Sequence, residues 1–254
     1  MSNIVSQLAK KTRKLRKGGV DSLDQKEKVC SYNIKTGFSV NFPICGTCKP
    51  TSVCADLCYG ARMNRPVTWD NSVRKNLRVH DYFLKTPPEE VADRIANEYQ
   101  RRKMTFLRWN GVGDLFPESV EVINVIAERH PDMVLWIATR IQEMARKVTR
   151  KGENIYLQFS LDGSEECRKR RAVIVRSRHP RLYYSFLRRE MDEDTMGARI
   201  IYNAQQYKKN LFVDDPRTVC PADGGTLPVK GACEKCRLCF SDRTLDGTQH
   251  KQKT

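Results

Sequence analysis

MTFLRWNGVGDLFPESVEVINVIAERHPDMVLWIAT, residues 104–139, runs through a strand, a glycine loop, a helix and a second strand in direct succession. MTFLRW is a short apolar run that breaks at Gly111, Gly113 and Asp114. Pro117 fits the first helical position of PESVEVINVIAERH, where the missing N–H costs nothing, and MVLWIAT reads as an apolar strand. The unit then repeats. IQEMARKV reads as a short helix, NIYLQFSLDG as a strand closing on Asp162 and Gly163, and SEECRKRRAVI as a helix. LYYSFL (182–187), RIIYNA (199–204) and LFVDD (211–215) read as further strands.

Upstream, residues 70–84 place Val73, Leu77 and Val79 or Tyr82 near a helical repeat, with Asp70 or Asn71 as N-cap and Pro87 and Pro88 as the stop. A second helix from about Glu89 to Arg102 starts acidic and ends basic, matching the helix dipole. FSVNFPI, residues 38–44, predicts a short strand. Strands alternating with helices predict a parallel sheet with crossover helices, so the expected fold is α/β, a complete or partial (β/α) barrel, with a doubly wound open sheet as runner-up. Either architecture puts ligands at the carboxyl ends of the strands, where the loops at Gly111–Asp114 and Ser160–Gly163 fall. Glycine there permits close backbone approach; a helix N-cap is the plainer reading of each carboxylate, and for Asp162 it weighs equally.

Cysteines add a second signal. CGTCKPTSVCADLCYG, residues 45–60, holds Cys45, Cys48, Cys54 and Cys58, and the tail holds Cys220, Cys233, Cys236 and Cys239. Such density points to metal ligands, a zinc ion or an iron–sulfur cluster, with disulfides as the competing reading. The opening MSNIVSQLAKKTRKLRKGG has no apolar signal core, and no run of residues is apolar and long enough to span a membrane, so a cytoplasmic setting is expected, where clustered thiols favour metal. Cys30 and Cys167 stand apart as inert thiols, and His250 is a remote candidate ligand.

Lys and Arg number 46 against 30 acids, a net +16, which points to a polyanionic partner such as nucleic acid. Lys10, Lys11, Arg13, Lys14, Arg16 and Lys17 make the start a basic arm, with Leu8 and Leu15 on one stripe if it is helical. The chain therefore divides into a basic arm (1–37), a core with the cysteine loop (38–215) and a cysteine-rich metal-binding extension (216–254).

TVCPADGG with GACEKCRLCF, SVCADLCYGAR, and RWNGVGDLF followed by a helix, HP and a strand ending ATR resemble the phage-encoded gene product eighty-eight family over roughly residues 38–240. More broadly, a strand leading into a cysteine loop that ends in CY, a glycine–acid element and a cysteine-rich tail resemble radical S-adenosylmethionine enzymes. That resemblance implies a 4Fe-4S cluster on three or four of Cys45, Cys48, Cys54 and Cys58, and S-adenosylmethionine held near Tyr59, Gly111, Gly113 and Asp114. It also implies a catalytic or ribose-contacting Asp162, and a second cluster or zinc at the tail. The pattern departs from the family's usual C-x3-C-x2-C, because the position three beyond Cys58 is Ala61. With a phage setting the compartment becomes the host cytoplasm. Two other readings stay open: a deazaguanine transglycosylase-like barrel with Asp114 and Asp162 as base and nucleophile over structural zinc, and a non-enzymatic zinc-stabilised nucleic-acid binder using the arm and Arg168–Arg171.

Overall fold

The computed structural model describes residues 3–63, 66–149, 151–174, 179–189, 193–203, 219–223 and 227–240. Helix α1 (Asn3–Lys17) precedes a hairpin of β1 (Ser31–Asn33) and β2 (Gly37–Val40), then α2 (Ser52–Asp56), α3 (Tyr59–Met63), α4 (Pro66–Lys85) and α5 (Pro88–Arg101). The repeating part is β3 (Leu107–Trp109), α6 (Pro117–Arg129), β4 (Leu135–Thr139), α7 (Gln142–Lys147), β5 (Ile155–Asp162), α8 (Glu165–Ile174), β6 (Leu182–Arg188) and β7 (Ile200–Asn203), followed by α9 (Ala232–Cys236).

The seven strands form one sheet in sequential order; β1 pairs antiparallel with β2, and every later pairing is parallel. This corrects the expectation of a complete barrel: among the described residues no pairing closes β7 onto β1 or β2, and the sheet is open. The order also lacks the reversal that a doubly wound sheet requires. An isolated parallel bridge between Ile201 and Val219 extends the β7 edge. The expected strand at 211–215 and His250 lie outside the described residues.

Strand alternation explains the layering. Val40, Trp109, Ile137 and Leu157 are in register across β2 to β5, and all are buried with apolar side chains of α4 to α7, such as Phe83, Ile95, Ile123 and Met144. Phe42 sits at the centre, edge-on to Phe83 and Phe116 at 5.1 and 4.8 Å. The opposite face is set by the odd register: Ser39, Arg108, Trp136 and Tyr156 align across it, with Gln158, Tyr183 and Ser185 beyond. Helices α4 to α8 therefore cover one face, and the other is left for the tail and the loops.

The basic arm is a docked helix. Val5 and Leu8 are buried, and Leu15 packs beside them, against Ile44, Ala61, Val73 and Leu77, so the stripe through Leu8 and Leu15 is a core contact. Helix α4 starts at Pro66, earlier than expected, which makes Asp70 an interior residue paired with Lys11 rather than a cap. No helix among the described residues is long and apolar enough to cross a membrane.

Candidate metal and cofactor site

Four loops meet at the carboxyl ends of β2 to β5, and hydrogen bonds tie them together. Thr51 caps α2: its Oγ1 accepts from the Cys54 amide at 3.1 Å and donates to Asp162 Oδ2 at 2.6 Å. Arg140, in the loop after β4, donates from Nη1 to the same Asp162 oxygen at 2.6 Å. Asp162 Oδ1 receives the Ser164 amide and hydroxyl at 3.0 and 2.6 Å. Asp114 accepts from Thr139 Oγ1 and the Leu115 amide on Oδ1, and from the Arg140 amide on Oδ2, while its own amide donates to Thr47 Oγ1 in the cysteine loop. One network thus spans the cysteine loop and the ends of β3, β4 and β5.

Both carboxylates are therefore committed to holding loops. Burial works against the Asp162 charge, but Arg140, Ser164 and Thr51 outweigh it and bring its pKa below the ordinary value. Burial wins at Asp114, whose pKa is raised despite the Thr139, Leu115 and Arg140 donors. Arg140 is disfavoured as a cation by burial and restored mainly by Cys54 and Asp162. Sequence reading missed Arg140, although the ATR ending of β4 was visible; a single Arg after a strand carries no signal until its carboxylate partner is known.

The glycines have a packing reason. Gly113 has φ +83°, and a Cβ there would lie 2.7 Å from Cβ and O of Phe42. Gly111 leaves no room for a side chain against Asn41 and Ser39, and its amide bonds the Val40 carbonyl at 3.2 Å. The loop is zipped to the end of β2 through Phe42 N to Val112 O (3.0 Å) and Val112 N to Asn41 Oδ1 (3.1 Å). Tyr59 donates to the Gly111 carbonyl, and Arg108 Nη2 donates to the Tyr59 oxygen at 3.3 Å. The residues assigned to cofactor contact are thus brought together, with their nearest partners drawn from the protein.

All ten cysteines are reduced thiols, so the disulfide reading finds no support. Cys45, Cys48, Cys54 and Cys58 lie within electrostatic reach of one another, and Cys45 adopts a left-handed backbone at φ 62°. Burial first, then Cys58 and Cys54, push Cys45 up to about 11; burial and Asp114 push Cys48 up; burial raises Cys58. Four soft donors with no hard ligand among them suit zinc or iron–sulfur chemistry. Among the described residues, however, no three His, Cys, Asp or Glu side chains are arranged to hold a metal ion, so the thiols are gathered rather than converged.

The tail cysteines occupy the other end of the sheet. Cys220, Cys233, Cys236 and Cys239 line a cavity of about 40 Å³ with Lys35, Arg108, Trp136 and Tyr202. Phe240 stacks on Phe106 at 4.1 Å, Tyr183 donates to the Cys239 carbonyl, and the Gly231 and Cys233 amides bond the Ile34 and Lys35 carbonyls. Lys35 pairs with Asp223 at 2.6 Å; burial opposes its charge, yet Asp223 and Cys220 win and its pKa rises to about 12. Burial raises Cys233 to about 11 and also drives Cys239 upward. Cys30 and Cys167 are buried, as expected of inert thiols. The basic helix is partly turned inward, since Arg170 Nη1 donates to the Lys49 carbonyl at 2.9 Å and Arg171 lies over the Tyr184 ring.

No curated protein and no solved structure matches the chain at a significant level. A family model described as Gene product 88 matches residues 4–242, which covers the docked basic helix, the sheet, both cysteine groups and the loop network. The chain belongs to the gene product 88 family.

Proposed function

We propose that this protein is an iron–sulfur enzyme of radical S-adenosylmethionine type, built on a partial (β/α) barrel and acting in the host cytoplasm on nucleic acid or a nucleotide-related substrate. The observation that carries the reading is the loop network: hydrogen bonds tie the loop that bears four free thiols to a glycine–acid loop and a buried Arg–Asp pair at the carboxyl ends of adjacent parallel strands. That is where (β/α) folds place their chemistry. Support for a partial barrel comes from the sequential order of the parallel strands and from helices packed on one face of the sheet.

Cys48, Cys54 and Cys58 would hold the cluster, with Cys45 as the additional thiol. Held there, a cluster would supply one-electron reduction of S-adenosylmethionine and so give access to radical chemistry, which belongs to the cofactor. The chain's own contribution is positional. Thr51 orients the Cys54 turn through its amide, Arg140 lies within electrostatic reach of Cys54, and Tyr59 clamps the Gly111 carbonyl. The tail cysteines would bind zinc or a second cluster and hold the tail against the sheet.

The transglycosylase reading needs a free carboxylate base and nucleophile, and Asp114 and Asp162 already accept three and four hydrogen bonds respectively. Under the non-enzymatic reading the loop thiols would hold structural zinc. Anaerobic reconstitution separates the first reading from the other two. A brown protein with about four iron and four sulfide at the loop, whose reduced paramagnetic signal shifts on adding S-adenosylmethionine, is expected. Cys45→Ser should keep the absorbance, and Cys54→Ser or Cys58→Ser should bleach it. Stoichiometric zinc without iron uptake, or a signal indifferent to S-adenosylmethionine, overturns the proposal.

A further inference from the structure

Helix α1 contains six cations and no acid. Val5, Leu8, Thr12 and Leu15 turn inward, with Val5, Leu8 and Thr12 fully buried. At 3.6 residues per turn, the side directly opposite that stripe carries Lys10, Arg13, Lys14 and Lys17, spaced i, i+3, i+4 and i+7, and all four are exposed. Neighbours on such a row stand about 5–6 Å apart, and the row runs for roughly 10 Å of helix axis. Of the six cations, only Lys11 has a carboxylate partner among the described residues, Asp70. The helix also abuts the cysteine loop: the Val5 carbonyl faces Cys45 Sγ at 3.9 Å, and Ile44, Cys45 and Cys58 pack in the same cluster as Leu8.

We propose that this outer row of α1 is the surface on which the phosphate backbone of a nucleic-acid strand docks, leading the strand past the cysteine loop. The inference rests on the nucleic-acid part of the preceding reading and is independent of the cluster. A rigid row of cations, fixed on one side by the fold, suits a regularly spaced line of phosphates and gives affinity without base readout. An anionic lipid surface is the other polyanion to weigh. A helix that lies in a membrane must sink its apolar face into the lipid, and here that face is already spent on Ile44, Ala61, Val73 and Leu77.

The test uses the full chain with all four positions neutralised, Lys10→Gln, Arg13→Gln, Lys14→Gln and Lys17→Gln, against single-stranded and duplex oligonucleotides by fluorescence anisotropy across a salt series. Each phosphate contact contributes about −0.9 to the slope of log affinity against log salt for duplex and about −0.7 for single strands. Loss of four contacts therefore flattens the slope by about 3.6 or 2.8. A control with Lys147→Gln and Lys169→Gln, on α7 and α8, should leave the slope within error. If the fourfold variant melts early, the Lys10→Gln, Lys14→Gln pair is used instead, with a flattening of about 1.8 or 1.4 expected. An unchanged slope, an equal change per charge in the control, or binding to phosphatidylserine vesicles without binding to either oligonucleotide overturns the proposal. Iron and sulfide content, measured on the same samples, reports separately on the cluster.

Discussion

Replacing Asp162 with Ala removes the acceptor for four hydrogen bonds, from Arg140, Thr51 and twice from Ser164, and strands a guanidinium whose side chain is only 13% exposed. Breaking a buried ion pair by deleting one partner costs about 3–5 kcal/mol, because the remaining charge is left uncompensated. For a chain of 254 residues, each kcal/mol moves the melting temperature by roughly 2–4 °C, so the expected fall is about 6–20 °C. The double variant Arg140→Met, Asp162→Leu removes both charges and should lose less than the sum of the two single losses by about 0.5–3 kcal/mol. Asp162→Asn adds a pH test. The pKa of Asp162 is lower in the fold than in the unfolded chain, so its stabilisation is fully present above the unfolded value of about 3.9 and is lost as pH falls through the folded value. The wild type should therefore shed an increment of stability in acid that Asp162→Asn lacks. Thiol labelling of Cys54 should also quicken in Asp162→Ala, because the Thr51 cap on its amide is released. Single variants that each lose less than about 1 kcal/mol, or losses that simply add, would refute the argument that this pair organises the loops.

Two further outcomes follow from packing. Gly113→Ala puts a methyl against Phe42 at a backbone angle that L residues avoid, and should cost about 1–3 kcal/mol in thermal unfolding even with no cofactor present; a loss seen only in cofactor binding would mean that the glycine serves the ligand instead. Phe240→Ala empties the contact between Phe106 and Trp136 and should cost about 3–5 kcal/mol in chemical denaturation, whereas an unchanged midpoint would show the tail to be dispensable.

The repeating half of the chain was legible because its periods are unambiguous. PESVEVINVIAERH became α6 with Pro117 at its first turn, and NIYLQFSLDG became β5 ending on Asp162. The short elements were not: α2, α3 and α9 are five residues each, too brief for a hydrophobic period to register. The β1–β2 hairpin escaped notice because its signal is a side-chain turn, Asn33 Oδ1 accepting from the Lys35 and Thr36 amides, with Gly37 at φ +70°. Charge obscured α1. Six cations in fifteen residues read as a solvated arm, and only the burial of Val5, Leu8 and Thr12 shows that one side of it belongs to the core.

The two cysteine groups have similar composition, and position separates their roles. The tail group sits where the strands begin, against Phe106, Trp136, Tyr183 and Ile200, and the Gly231 and Cys233 amides tie it to the β1–β2 turn. In (β/α) folds that end of the sheet serves stability. The loop group sits where the strands finish, beside a buried Arg–Asp pair and a glycine turn, and Arg140 reaches it electrostatically from a neighbouring loop. Buried ion pairs are a weak source of stability, and a fold that needed only to hold a metal would do as well with apolar packing at Arg140 and Asp162. The pair makes sense if it fixes the geometry of Thr51 and Cys54 around something that reacts. On the proposed reading, chemistry would belong to Cys45–Cys58 and architecture to Cys220–Cys239, so replacing a tail cysteine should be felt first in melting and replacing a loop cysteine first in reactivity.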